Sequence, residues 1–399
     1  MPDSAPLTSA ASEEEALMLD AIDKWLEQKV KPVAMELEHA NEYPIALVED
    51  MKELGLFGAL IDPEYGGLGL SASLYAKIVT KISEEWMSLT GIFNSHLMMA
   101  QIVQRFGTDK QKEYWLPKFA TGEIRGGLAL TEPNAGTDLQ ALTTKATRVG
   151  DKYVVEGAKT WISNAIEGQC VALLCKTDPS AEPRYKGMSI LITQTKNPET
   201  QEDLPGVTNG NKLSKLGYKG IDSGELIYTG YECDAELCLI GGEEGKGFFM
   251  ATGGLEIGRI NIAARSVGIA RRALRESIAY AQTRHTMGKP ICEHQAIQLK
   301  LGEMGAKTRA AELLVEDAAR AYDTGARIDM EAGMAKYFAS ETAVEVATEA
   351  MRIHGGYGYS KEYVIERLYR DAPLMCIGEG TNEMQRIIIS KQLVKRNPI

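Results

Sequence analysis

At 399 residues, with 44% hydrophobic and 25% charged side chains, the chain has the make-up of a globular protein long enough for two or three domains. A net charge of −11 argues against a nucleic-acid backbone or an anionic membrane as the main partner. The start, MPDSAPLTSAASEEEALML, lacks the basic region and apolar core of a secretory leader, and no apolar run reaches the length of a membrane span. The six cysteines show no CxxC framework and the five histidines no HxH or HExxH spacing. Reduced thiols in a cytoplasm-like compartment, and no metal, are therefore expected; CDAELC (233–238) without a histidine partner is a poor ligand set.

Residues 12–122 read as helices. Ser12 and Glu15 form a capping-box pattern ahead of a face of Leu19, Ile22 and Leu26. Pro32 interrupts that helix, and Pro44 opens the next, which carries Leu47, Val48, Met51 and Leu54. A glycine-rich loop, DPEYGGLGLS, follows; helical patterns resume over Leu74–Glu85, over Asn94–Phe106 and after Asp109. From residue 126 the texture changes to short β-rich runs between turn residues, and VGDKYVVEG predicts a tight hairpin at Gly150-Asp151. TKNPETQEDLPG (195–206) is a polar surface excursion. Helical periodicity returns over 247–283, 293–323, 329–352 and 379–395. The expected organisation is 1–125 helical, 126–245 β and 246–399 helical.

GGYGYS and GEEGKGF lack the strand-to-helix context of a dinucleotide loop, and no GxxxxGK[ST] occurs. Five other segments carry chemistry. LALTEPNAGTDL (128–139) leaves a strand into a turn whose N–H groups, with Thr131 and Thr137, suit a carbonyl-rich ring or a phosphate; an ordinary turn reads as well. In GAKTWISNA (157–165), Trp161 offers a stacking face and Ser163 a hydroxyl, unless Trp161 is simply core. TRHTMGKPICEHQAI (283–297) places Arg284 where it can meet a pyrophosphate or merely end a helix. MRIHGGYGYSKEYVIERLYRDA (351–372) carries Gly355-Gly356, either a close-approach point or a helix C-cap. Finally, GEGTNEMQR isolates Glu379 between glycines after apolar Leu374, Met375 and Ile377. Helix punctuation, with Thr381 as cap, is the plain alternative.

Taken in order, these segments resemble the acyl-CoA dehydrogenase family of flavoproteins, over essentially the whole chain after residue 12. The resemblance implies a multidomain α+β fold: an N-terminal helical domain, a central β-barrel-like domain and a C-terminal four-helix bundle. It also implies FAD, an acyl-CoA substrate, electron-transferring flavoprotein as acceptor, and a homotetramer built as a dimer of dimers. Cytoplasmic location follows, or the mitochondrial matrix in a eukaryote. Carried over by residue, Leu130, Thr131, Trp161 and Ser163 would line the isoalloxazine. Gly136 and Thr137 would lie near the pyrophosphate or CoA. Arg284, Met287, Gln295, Arg352, Gly355 and Gly356 would reach the FAD of a neighbouring subunit, with Thr381 and Glu383 at the adenosine end. Arg259, Gly378 and Gly380 would flank the substrate, and Glu379 would be the catalytic base.

Such a base removes an α-proton while a hydride leaves the β-carbon, and desolvation raises its pKa and strengthens it. Three departures bear on the substrate. Gly378 stands where many straight-chain members carry an aromatic residue, which admits branched or cyclic groups. Gly258 stands at the alternative base position of some relatives, leaving one candidate base. Ser88-Leu89-Thr90 occupies the stretch where the glutaryl-CoA branch places an arginine; a distal carboxylate is disfavoured unless Arg105 or another cation substitutes. An oxidase or monooxygenase on the same scaffold, and a non-catalytic helical assembly protein, are the competing readings.

Overall fold

Glu13, Glu14 and Glu15 fill the first turn of helix α1 (Glu13–Trp25), where carboxylates complement the helix dipole. The structure, a computed structural model, describes residues 13–253 and 255–399, so Ser12 of the expected capping box lies outside the described residues. A π-helical turn, Leu26–Val30, closes this segment just before Pro32. Helix α2 (Ala34–Ala40) stops at left-handed Asn41, and α3 (Ile45–Glu53) begins after Pro44.

Where sequence periodicity predicts two helices, one long helix stands: α4 (Ala72–Phe106), capped by the Ser71 hydroxyl and kinked at Trp86 (φ −156°, ψ 101°). The run between the two expected pieces is buried on all sides, its polar Ser88 and Thr90 included, so it shows no amphipathic signature. Two glycines accommodate its neighbours. A Cβ on Gly220 would stand 2.3 Å from the Trp86 ring, and one on Gly91 would stand 1.6 Å from the Tyr218 hydroxyl. Helix α5 (Asp109–Ala120) follows, with a capping box between Thr108 and Gln111.

The middle of the chain is a curled sheet. Its strands are β1 (Gly126–Ala129), β2 (Lys145–Val149), β3 (Lys152–Ser163), β4 (Cys170–Lys176), β5 (Met188–Gln194), β6 (Val207–Asn209) and β7 (Ser223–Asp234). Their order is β1-β4-β2-β3-β7-β6, with β5 paired to β4. The expected hairpin is present: Val149 pairs with Lys152 across Gly150-Asp151, with Gly150 at φ +64°. Strand β4 is buried on both faces. Cys170, Ala172 and Leu174 face one hydrophobic cluster, and Val171, Leu173 and Cys175 face another.

Short helices α6 (Ala235–Cys238) and α7 (Gly247–Gly253) lead into α8 (Leu255–Thr283). A two-stranded hairpin, β8 (His285–Thr286) and β9 (Lys289–Pro290), joins α8 to α9 (Gln295–Asp323). Then come α10 (Asp329–His354), α11 (Ile365–Ile377) and α12 (Asn382–Arg396). Helix α11 escapes periodicity reading because Pro373 lies inside it. Buried alanines line the contacts of α8, α9 and α10, among them Ala263, Ala270, Ala311, Ala318, Ala339 and Ala343; small side chains let the helices pack closely.

The fold is thus a helical N-terminal part, a curled β middle and a helical C-terminal part. One core joins α4 and α1 to α8, α9 and α10, while the far end of α4, from Met99 to Val103, belongs to the cluster beneath the sheet. No helix among the described residues is long and apolar enough to cross a membrane.

Candidate active site

Helix α11 ends at Gly378, and the chain then turns through Glu379 (φ +54°) and Gly380 (φ +82°). A left-handed glutamate is a strained choice that surrounding contacts must hold. They are present on both sides. Gln385 Nε2 donates to the Gly380 carbonyl at 3.0 Å and to that of Glu379 at 3.3 Å. Buried Lys336 donates to Asn382 Oδ1 at 2.8 Å and to the Cys376 carbonyl at 3.2 Å. Thr381 does cap α12, accepting from Met384 N at 3.4 Å, so the punctuation reading is right for Thr381. It is wrong for Glu379, which is half-buried rather than a solvated loop charge.

The Glu379 carboxylate lies between α4 and α8. A Cβ placed on Gly258 would stand 3.1 Å from Glu379 Oε2 and 3.2 Å from Met98 Sδ. Glycine is what makes room for the carboxylate there. Burial pushes the Glu379 carboxyl above its ordinary value, against the opposing pull of Arg265, Arg259 and Lys336. Arg259, the next residue of α8, is buried with Nη1 3.9 Å from Asp329 Oδ1; its Nε and Nη1 have no hydrogen-bond partner.

A second set of residues stands at the ends of β1 and β3. Beyond β1, Leu130 and Thr131 are half-buried, and the Thr131 carbonyl accepts from Thr160 N at 3.0 Å. Glu132 is buried and takes bonds from Thr143 N (2.6 Å), Thr143 Oγ1 (2.7 Å), Thr144 N (2.9 Å) and Lys159 Nζ (2.9 Å). Lys159 also donates to the Leu130 carbonyl at 2.9 Å. This buried ion pair fixes the 130–132 turn to β3, and sequence reasoning missed it because charged side chains read as solvated. Trp161 sits in a register shift of β3 at φ +62° and is 59% exposed, so it is not a core residue. Ser163 is half-buried opposite Ser223, and Gly136 and Thr137 lie exposed on the turn.

A third set lies on the C-terminal bundle. Arg284, Gly355 and Gly356 line a cavity of about 560 Å³ with Tyr280, His354 and Tyr357. The Arg284 guanidinium stands 6.0 Å from the Tyr357 ring centroid. Gly355 (φ +60°, ψ −133°) holds a conformation that only glycine adopts readily, and Cβ atoms on Gly355 or Gly356 would meet nothing within 4 Å. Their backbone is therefore open to a closely approaching group. Met287 tips the β8–β9 turn and is 95% exposed, while Gln295 opens α9. Arg352 does not join this cavity. It pairs with Glu349 and lines a separate one of about 350 Å³ between α9 and α10. Glu383 is exposed beside Arg386, 3.3 Å away.

Glu38, His39 and Glu366 form the one group of three ligand-type side chains in contact among the described residues. Arg370 already pairs with both of its carboxylates at 2.6 Å, which makes it an ion-pair cluster.

A glycine-hinged, half-buried carboxylate between two helices, with an exposed indole and an open cavity lined by Arg284, fits an enzyme that holds a large organic cofactor. Comparison with known proteins agrees. The family models for the acyl-CoA dehydrogenase N-terminal, middle and C-terminal domains match residues 12–123, 127–230 and 245–394. The chain is 38% identical to a 3-(aryl)acrylate reductase of Clostridium sporogenes, over 96% of this chain and 99% of that one. It is 36% identical to a (2S)-methylsuccinyl-CoA dehydrogenase of Cereibacter sphaeroides, over 97% and 70% of the two chains. The butyryl-CoA dehydrogenase structure from Megasphaera elsdenii superposes with a TM-score of 0.91 at 33% identity, covering 97% of this chain and 100% of that one. The chain belongs to the acyl-CoA dehydrogenase family; it is an FAD-dependent oxidoreductase acting on acyl-CoA thioesters.

Proposed function

We propose that this enzyme forms the 2,3-double bond of an acyl-CoA and that Glu379 is its base. The observation that carries the reading is the burial of one carboxylate, on a strained and doubly tethered loop, against a glycine of α8. Desolvation strengthens Glu379 as an acceptor of the α-proton, and the φ +54° turn aims it inward between α4 and α8. Bound FAD supplies the acceptor for the β-hydride. Arg259, Gly378 and Gly380 flank the thioester, with Glu379 N–H and Gly380 giving the backbone approach that steadies enolate-like charge.

Leu130, Thr131, Trp161 and Ser163 hold the flavin ring, Gly136 and Thr137 the pyrophosphate or CoA, and Thr381 and Glu383 the adenosine end. The residues of this chain fit such a group: an indole is exposed beside a fixed turn, and an arginine faces two open glycines. No lining residue of the 560 Å³ cavity comes from the β middle, which supports its serving the cofactor of a neighbouring copy. We therefore assign Arg284, Met287, Gln295, Gly355 and Gly356 to a subunit interface in a homotetramer, with Arg352 beside it. Electron-transferring flavoprotein is the proposed acceptor, and the six unpaired cysteines support a reducing, cytoplasm-like compartment. The same carboxyl, protonated, serves hydrogenation in reverse, the direction for which the Clostridium relative is named.

Glu379→Gln tests the assignment. FAD content and acyl-CoA binding persist, while flavin reduction by acyl-CoA falls about 10²–10⁴-fold and α-proton exchange with deuterated solvent stops. In the parent enzyme the rate rises with pH through the elevated pKa of Glu379. A carboxyl whose folded pKa exceeds its unfolded one costs stability above the unfolded value, so Glu379→Gln also melts higher at neutral pH. Near-parental flavin reduction in Glu379→Gln would place the base elsewhere.

A further inference from the structure

Lys336 stands on α10 and is wholly buried. An ammonium so placed needs acceptors, because desolvating an ionised group without them is costly. It has two, and they lie on either side of Glu379. Lys336 Nζ donates to the Cys376 carbonyl, in the last turn of α11, at 3.2 Å. It also donates at 2.8 Å to Oδ1 of Asn382, the first residue of α12. Carbonyls in the last turn of a helix lack intrahelical partners, and a cation suits that negative end. The Asn382 amide is held in one sense only. Its Nδ2 donates to Glu341 Oε1 at 2.7 Å and to Ser340 Oγ at 3.0 Å, about one turn along α10 from Lys336. A carboxylate only accepts and an ammonium only donates, so Oδ1 must face Lys336. One ammonium thus staples α11 to α12 across residues 377–381, where Glu379 takes its left-handed turn.

The same group is a charge. Both of its acceptors are neutral, and burial pushes its pKa down to about 8, so it is still mostly cationic at neutral pH. Cys376, Glu379, Glu341 and Glu383 are the groups that face it. Glu379 in turn feels Arg265 and Arg259 of α8 first, and Lys336 of α10 after them. From α4 it is faced by the Tyr75 hydroxyl, which donates to Asn94 Oδ1 and accepts from Asn261 Nδ2. The two arginines point their contacts elsewhere. Arg265 donates to the Thr90 carbonyl and the Tyr218 hydroxyl, and Arg259 lies beside Asp329. Of these three cations, Lys336 is the one bonded to the Glu379 loop.

We propose that Lys336 is the positioning residue of the base. It fixes the 377–381 turn at both ends, so that the Glu379 carboxylate keeps its place against Gly258, and it sets a positive charge behind that carboxylate. The clasp limits where the carboxylate can reach, and the charge favours its ionised, proton-accepting form. Lys336 acts through Glu379, and the inference rests on Glu379 being the base.

The test is anaerobic flavin reduction by the FAD-loaded full-length enzyme across pH. The thioester is butyryl-CoA or 2-methylbutanoyl-CoA, whichever reduces the parent faster. Lys336→Met should slow reduction at neutral pH about ten- to a hundredfold and change the half-saturating thioester concentration by no more than about twofold. Its acidic limb should move up by about half to one pH unit. Removing a cation raises the carboxyl pKa, and the rate is lost as pH falls through that pKa. Lys336→Arg, which keeps the charge, should bring the limb back towards the parent position. Amide hydrogen exchange over residues 377–382 should quicken in Lys336→Met, a readout that needs no turnover. A merely structural clasp lowers the rate alike at every pH; an unmoved limb, a parental rate or unchanged exchange overturns the proposal. If Lys336→Met does not fold, Lys336→Gln, which keeps a donor but no charge, is read by the same limb. Glu379→Gln run alongside separates the two readings. Parental reduction in Glu379→Gln defeats both, whereas an inactive Glu379→Gln beside a parental Lys336→Met defeats this inference alone.

Discussion

Replacing Lys159 by methionine keeps an unbranched chain one heavy atom shorter and deletes its charge. Lys159 is fully buried, and its ammonium lies 2.9 Å from both Glu132 Oε1 and the Leu130 carbonyl. The variant leaves a buried Glu132 with its three bonds from Thr143 and Thr144 but no counter-charge. Breaking a buried ion pair from one side costs about 3–5 kcal/mol, because the surviving charge is uncompensated. Chemical unfolding at neutral pH should show a loss of that size. FAD retention should fall as well, since the 130–132 turn loses its anchor to β3. Lys159→Met with Glu132→Gln should recover much of the stability, because a neutral pair removes the stranded charge. Although burial opposes it, Lys159 and the neighbouring N–H and hydroxyl groups hold the Glu132 carboxyl well below its ordinary range. Its contribution is therefore present above the unfolded carboxyl pKa and is lost as pH falls through the depressed value, so the gap between parent and variant should close in acid. A Lys159→Met protein as stable as the parent at neutral pH, or a double variant as unstable as the single one, would refute this account.

Gly258→Ala forces the Glu379 carboxylate or Met98 to give way at a 3.1–3.2 Å contact, so flavin reduction should slow roughly tenfold to a hundredfold with FAD content unchanged. Parental rates would show that the carboxylate has slack. Gly378 has ordinary extended geometry (φ −67°, ψ 156°) and its nearest would-be contact is Leu374 O at 3.5 Å, so Gly378→Tyr is sterically permitted. It should discriminate against branched thioesters by about ten- to two-hundredfold relative to straight ones; equal losses on both would make Gly378 a loop residue only. Arg284→Ala should release FAD on gel filtration, and a monomer holding stoichiometric FAD as tightly as the oligomer would remove the interface assignment.

The parts of this protein legible in the sequence are those governed by local rules. Gly150-Asp151 announces its hairpin because few residues suit that turn, and Glu379 stands out because glycines flank it. Helix α11 was hidden by Pro373, and α4 was split because burial on all sides erases the amphipathic rhythm across its kink. At the site, the resemblance supplied roles that spacing alone did not. Lys159, Asn261 and Arg265 were invisible for a different reason. A charge in sequence has no burial attached to it, and their partners on other elements appear only when the chain is folded.

Helix α4 also has a bearing on how the molecule comes apart. Its residues up to Met98 sit in the core shared with α8, α9 and α10, and Met99 to Val103 sit in the cluster under the sheet. One rod therefore runs through two hydrophobic interiors, and neither can melt without pulling on the other. The chain should lose its structure in a single cooperative step, whichever end is strained first. Dissecting it at the changes of texture, near residues 125 and 246, would open an interior rather than separate two bodies. Laboratory recombination among relatives that swaps the first helical part alone would have to replace its partner surface on α8 at the same time.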